Sequence, residues 1–141
     1  MILLDTNVVS EPLKPAASPA VLAWLDQQHI ETLFLSTISL AELRYGVAAL
    51  PDGKRKDGLS TVLERRIVAL FGSRLLPFDI AAADAYAAIR ARARAAGKAI
   101  GASDGYIAAT AAAHGFAVAT RDTGPFEAAG VHVINPWDAG P

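Results

Sequence analysis

The chain has 141 residues, 52% of them hydrophobic and 19% charged, and a formal net charge of −1. So apolar a composition excludes a disordered chain, and so balanced a charge excludes a globally basic nucleic-acid binder, though not a local basic patch. With no Cys, disulfides and cysteine-ligated zinc are excluded, and the length suits a single domain spanning 1–141.

The first residues, Met1-Ile2-Leu3-Leu4-Asp5, lack the positive start and long apolar run of a secretory signal. No apolar stretch reaches the roughly 20 residues that cross a bilayer. The expectation is a soluble, cytoplasmic protein without a membrane partner.

Short apolar runs alternate with longer helical patterns. Ile2-Leu3-Leu4 predicts a first strand that ends at Asp5. Ser18-Pro19 opens a helix to about Gln28, with Pro at the first helical position. Leu33–Ser36 predicts the second strand. Ser39 is expected to cap a helix running to about Leu50, stopped by Pro51-Asp52-Gly53, and another helix spans about Arg55 to Phe71. Leu75–Phe78 predicts the third strand, with Pro77 at its end or edge. Asp79 caps a helix closed by Gly97, and Ser103 is expected to cap one ending at His114-Gly115. Ala117–Thr120 and Val131–Ile134 predict the last two strands, with a short helix around Pro125 to Ala129 between them. Alanine, dense from Ala81 to Ala129, favours helix there. The strands are short and continuously apolar, which predicts burial on both faces and a parallel sheet covered by helices. The order β-α-α-β-α-α-β-α-α-β-α-β is that of an α/β fold, in which ligands bind beyond the carboxyl ends of the strands.

Familiar catalytic signatures are absent. There is no G-x-G-x-x-G and no Walker A sequence, and Gly101-Ala102-Ser103-Asp104-Gly105 has the outline of a nucleophile elbow but follows a helix rather than a strand. His29, His114 and His132 are scattered. What stands out is the position of four carboxylates. Asp5 ends the first strand, Glu42 and Asp104 lie in the first turns of helices, and Asp122 follows the fourth strand by two residues. Each has a structural use if taken singly. Asp5 can cap a helix, Ser39-Leu40-Ala41-Glu42 has the pattern of a capping box, Asp104 can complement a helix dipole, and Asp122 can form an Asx turn. Taken together at one sheet edge they repel one another, which serves no structural purpose and is relieved by a divalent cation. Oxygen-only ligation selects a hard ion, Mg²⁺ or Mn²⁺, and such a site activates water and stabilises charge on a phosphoryl oxygen, so its natural substrate is a phosphodiester. Thr6, Asn7 and Thr120 are placed to orient the carboxylates, and Arg44 and Arg121, with Arg90, Arg92, Arg94 and Lys98, are candidates to contact phosphate. Residues 90, 92 and 94 point to different helix faces, so the three arginines cannot line one groove.

At this point the sequence resembles the PIN-domain ribonucleases, and within them the VapC-type toxins. Ile2-Leu3-Leu4-Asp5-Thr6-Asn7 is similar to the family's opening. Ser36–Gly46 is similar to the second block, Ile100–Ala111 to the third, and Ala119-Thr120-Arg121-Asp122 with Phe126 to the last. The closing Asn135-Pro136-Trp137 is most like the FitB branch. The resemblance implies a three-layer α/β/α sandwich on a parallel sheet of about five strands. It implies a metal-dependent endoribonuclease, the toxin of a toxin–antitoxin pair, with an RNA substrate, a silencing antitoxin and a homodimeric state. The family's acidic quartet falls on Asp5, Glu42, Asp104 and Asp122. Departures from the commonest pattern are Asp122 for Asn, Pro125 for an acid or His, and Gly105 for a larger residue. The apolar residues of 24–50, including Trp24, Leu25, Leu43, Tyr45 and Val47, read by default as core packing, with an antitoxin groove as the sharper alternative.

Two other readings compete. In the first, the chain is a metal-binding PIN-like module that acts mainly through its antitoxin in DNA-bound regulation. In the second, Asp5 is the nucleophile of a phosphoryl-transfer domain, but Asn7 stands where haloacid-dehalogenase-like enzymes want a second Asp.

Overall fold

A computed structural model describes residues 1–138. Its centre is a five-stranded sheet, ordered β3-β2-β1-β4-β5 and parallel throughout. The strands are β1 (Ile2–Leu4), β2 (Leu33–Ser36), β3 (Leu75–Leu76), β4 (Ala117–Ala119) and β5 (Val133–Ile134). Five short apolar runs thus become five strands, although the third and fifth are two residues long rather than four. Pro77 cannot donate to a ladder, which ends β3 at Leu76.

The helices are α1 (Thr6–Ser10), α2 (Pro19–Asp26), α3 (Thr37–Ala48), α4 (Lys54–Val62), α5 (Ala69–Phe71), α6 (Ile80–Ala95), α7 (Ala102–His114) and α8 (Thr123–Ala128). A π-helical segment, Leu63–Val68, joins α4 to α5, so the expected helix of 55–71 is one rod with a widened middle. Leu63, Ile67 and Phe71 form its buried stripe at intervals of four.

Alternation along each strand divides the core in two. Leu4, Leu33, Leu35 and Ala119 face one layer, with Val8, Val9, Val21, Trp24, Leu40, Leu43 and the rod's stripe. Leu3, Val118 and, partly buried, Phe34 face the other, with Ile89, Ile107, Ala108, Ala111 and Phe126. The molecule is therefore the expected three-layer α/β/α sandwich. α1 to α5 cover one face and α6 to α8 the other, and β1 is buried between them. Alanines at 108, 109 and 111 let α7 lie close to the sheet.

Two helix starts differ from expectation. Ser36, not Ser39, caps α3: its side chain accepts a bond from the Ser39 backbone N–H at 3.0 Å, and Ser39 is buried inside the helix. Gly101, not Ser103, stands at the N-cap of α7, with no side-chain cap bond. Gly115 ends α7 in the left-handed region at φ 71°, the conformation that glycine adopts without steric penalty. Trp24 and Leu43 are core residues, and Leu25 and Val47 pack against that core. Of the apolar side chains assigned to a partner groove, Tyr45 remains prominent, with 75% of its surface exposed.

Candidate active site

The strand order reverses at β1. The chain goes from β1 to β2 on one side and returns to β4 on the other. A crevice at such a switch point, beyond the carboxyl ends of the strands, is where open α/β sheets bind ligands. Asp5 lies there, one residue past β1, with its N–H bonded to the Ala119 carbonyl at 2.9 Å. It is also the N-cap of α1, its Oδ1 accepting from Thr6 N–H at 2.8 Å. Its other oxygen, Oδ2, accepts from the Thr120 hydroxyl at 2.8 Å and from Asn7 Nδ2 at 3.5 Å. Asp5 is thus both a cap and a member of a larger network.

The network ties the two strands that flank the crevice. Thr120, fully buried, also accepts from Asp122 N–H at 3.0 Å and from Asn7 Nδ2 at 3.5 Å. Asn7 Oδ1 accepts from Arg121 N–H at 3.3 Å. Across the crevice the Thr6 hydroxyl donates to Glu42 Oε1 at 2.9 Å. The capping-box role for Glu42 is overturned, because Ser39 is not the cap and Glu42 turns instead toward α1. Asp104 lies in the first turn of α7 and is half-buried. Asp122 occupies the N-cap position of α8 but accepts no cap bond, so its carboxylate is not consumed by a turn.

These charges act on one another. Burial pushes the Asp5 carboxyl up to about 6; the bonds from Thr120 and Thr6 pull it down, and the charges of Asp104 and Glu42 add to the rise. The Asp104 carboxyl is also raised, first by burial and then by Asp122 and Glu42. None of the four carboxylates forms an ion pair with Lys, Arg or His among the described residues. Nor, among those residues, do three or more His, Cys, Asp or Glu side chains form a group that could hold a metal ion. The arrangement is a floor, Asp5, with a rim of Glu42, Asp104 and Asp122, rather than a closed cage.

The basic candidates separate. Arg44 is committed to Glu64 in the π segment by two bonds of 2.8 and 3.0 Å, which hold the Glu64 carboxyl below the usual range. Arg121 is exposed beside Asp122, its guanidinium 5.2 Å from the centre of the Trp137 ring and unpaired with any carboxylate among the described residues. That stacking joins residues sixteen positions apart and has no linear signal except the Asn135-Pro136-Trp137 turn, in which Asn135 Oδ1 accepts from Trp137 N–H at 3.0 Å. Arg90 and Arg94 share one face of α6, while Arg92 points elsewhere and bonds back to the Ala88 carbonyl. Glu11, buried and paired with Lys14 at 3.2 Å, is an acid the sequence did not single out.

A parallel sheet of this order, with acids from four separate segments gathered at its switch point, defines a PIN-type domain. Residues 2–131 match the PIN domain family, and the chain belongs to it. Within that family it stands among VapC- and FitB-type proteins. It is 57% identical over 138 residues to the VapC ribonuclease Y4jK of Sinorhizobium fredii, covering 98% of this chain and 99% of that protein. It is also 57% identical over 137 residues to toxin FitB of Neisseria gonorrhoeae, covering 97% of this chain and 99% of that one. The structure of FitAB bound to an IR36 DNA fragment superposes with a TM-score of 0.97 at 54% identity, over 100% of this chain and 99% of the matched one. Among the described residues no helix is long and apolar enough to cross a membrane.

Proposed function

We propose that this chain is a metal-dependent endoribonuclease and the toxin of a toxin–antitoxin pair. The observation that carries the reading is the placing of Asp5 and Asp104 at the switch point, raised first by burial and then by neighbouring acid charge, with no Lys, Arg or His paired to them among the described residues. Names of relatives support it: a ribonuclease and a toxin, each aligned over nearly the whole chain.

The donor set fits a hard divalent ion, Mg²⁺ or Mn²⁺. All four candidate ligands are carboxylates, and Mg²⁺ retains several waters, so one or two direct protein ligands suffice. Of Asp5, Glu42, Asp104 and Asp122, one or two would ligate it directly and the others would meet it through its waters. When bound, such an ion supplies Lewis acidity toward a phosphodiester oxygen and lowers the pKa of water. The chain's residues do the positioning. Thr120, Thr6 and Asn7 fix both oxygens of Asp5, and Thr6 fixes Glu42. Arg121, braced on Trp137, presents its guanidinium to a non-bridging phosphate oxygen at the rim. We assign Arg44 no RNA contact, since Glu64 holds it.

The test is cleavage of single-stranded RNA by the purified chain. Cleavage is expected with Mg²⁺ or Mn²⁺, is lost in EDTA, and leaves 5′-phosphate and 3′-hydroxyl ends. Retained activity in Asp5→Asn would overturn the assignment. An antitoxin partner and a homodimer belong to the same proposal. Growth arrest on expression should be relieved by co-expressing the neighbouring reading frame. The FitAB structure on DNA favours a second reading, in which the chain acts chiefly through its partner on DNA. A thermal shift with Mn²⁺ and no cleavage of any RNA would select it.

A further inference from the structure

We propose that the cleft between the carboxyl-terminal half of α6 and the loop leading to α7 holds the backbone of the RNA strand flanking the scissile phosphate. This rests on the ribonuclease reading and gives that site its substrate track. The cleft has a volume of about 750 Å³ and is lined by Tyr86, Arg90, Arg94, Lys98 and Ile100, with no acidic residue in its wall. None of its three cations forms an ion pair among the described residues. The dipole of α6 accounts for a basic residue in its last turn, as at Arg92 and Arg94. It does not account for Arg90 or for Lys98 beyond the helix.

One end of the cleft lies against α7 beside Gly105, the residue that follows Asp104. Tyr86 stacks on Tyr106, with ring centres 4.7 Å apart and planes 21° apart, and its Oη accepts from Arg90 Nη1 at 2.6 Å. A Cβ on Gly105 would lie 3.0 Å from the Tyr86 ring and 3.6 Å from Arg90 Cδ. The Tyr86–Arg90 end of the cleft therefore rests on the first turn of α7, the turn that carries Asp104. A strand seated at Asp104 meets an uncompensated positive wall next. Because Tyr86 gives a face to Tyr106, it buttresses the wall rather than stacking on a base. The contacts are to phosphate and carry no sequence preference.

The test is fluorescence anisotropy of a short labelled single-stranded RNA in EDTA, across a salt series, with the full chain. Arg94→Gln combined with Lys98→Gln leaves the tyrosine stack intact. The double variant should weaken binding about tenfold or more and flatten the slope of log K against log salt by about 1.4, two phosphates at about 0.7 each. Arg92→Gln, on another face, should change neither. With metal, the double variant's loss should fall on KM rather than kcat. Wild-type affinity and slope in the double variant overturn the cleft assignment while leaving the ribonuclease reading intact. A wild-type chain that binds RNA yet cleaves none overturns that reading and leaves the cleft to be judged by the anisotropy alone. Unchanged RNA binding with a smaller oligomer on size-exclusion chromatography makes the cleft an interface between copies, which also overturns the proposal.

Discussion

Asp5 is where stability and chemistry oppose each other. Folding raises its carboxyl from the ordinary 3.8 to about 6, so the folded chain binds this proton more tightly than the unfolded one. Stability conferred by protonated Asp5 is complete below about pH 4 and is lost as the pH rises toward and past 6. The difference corresponds to about 3 kcal/mol at most. Urea titrations of the metal-free chain should show this decline, which adding Mn²⁺ should offset. Asp5→Asn should lose Asp5's share of the pH dependence in that window and keep the part due to the raised Asp104, be more stable than the wild type above pH 7, and have no cleavage activity. Thr120 makes the complementary prediction. Its hydroxyl donates to Asp5 Oδ2 and accepts from Asp122 N–H, in a position closed to water. Thr120→Val keeps the volume but takes the acceptor from that part-buried N–H and removes a donor from the buried carboxylate. It should cost about 1–3 kcal/mol in urea unfolding and slow RNA cleavage, whereas Thr120→Ser should restore both.

At the scale of elements, the contact between α6 and α7 explains the departure from the family pattern at Gly105. A Cβ there would stand 3.0 Å from Tyr86 Cε2, and Tyr86 cannot easily withdraw. Tyr106 lies on its ring, Phe78 meets it edge-on at 6.1 Å, and Arg90 bonds its hydroxyl. Alanine would gain about 1 kcal/mol of helix propensity but overpack a fixed ring at a cost of about 1–3 kcal/mol. Gly105→Ala should therefore lower the denaturation midpoint, and the penalty should vanish in a Tyr86→Leu background, a coupling that a double-mutant cycle measures. The residue type at 105 was readable in the sequence but its cause was not, because the ring that requires it lies nineteen residues upstream. The same limit explains the misplaced caps. Ser36 and Ser39 both suit an N-cap, and the choice falls to Ser36 because β2 ends there and burial takes Ser39 into the helix. That choice also decided the fate of Glu42, which a local pattern assigned to a capping box and the tertiary fold gave to Thr6.

For the whole molecule, the strand runs, their parallel pairing and the places of the four candidate acids at strand ends and in first helical turns were legible because each depends on local periodicity and on the rule that crevices open at strand ends. The Arg121–Trp137 stack, the Arg44–Glu64 pair and the cleft beside α6 were not, since each depends on side-chain meetings between distant segments. The same architecture bears on whether 1–141 is one cooperative unit. The two halves of the core lie on opposite faces of one sheet and do not share side chains, yet they share β1, where Leu3 faces one half and Leu4 the other. A strand only three residues long, paired on both edges, cannot keep one face packed while the other melts. The halves should therefore unfold together. Trp24 and Trp137 report on the first half, and Tyr86, with Tyr106 stacked on it, on the second. Tryptophan fluorescence and tyrosine near-ultraviolet dichroism should give coincident urea transitions. Leu3→Ala, which opens a cavity on the tyrosine side alone, should cost about 2–5 kcal/mol and move both transitions by the same amount. A tyrosine signal that shifts while the tryptophan signal stays in place would show two units where the shared strand predicts one.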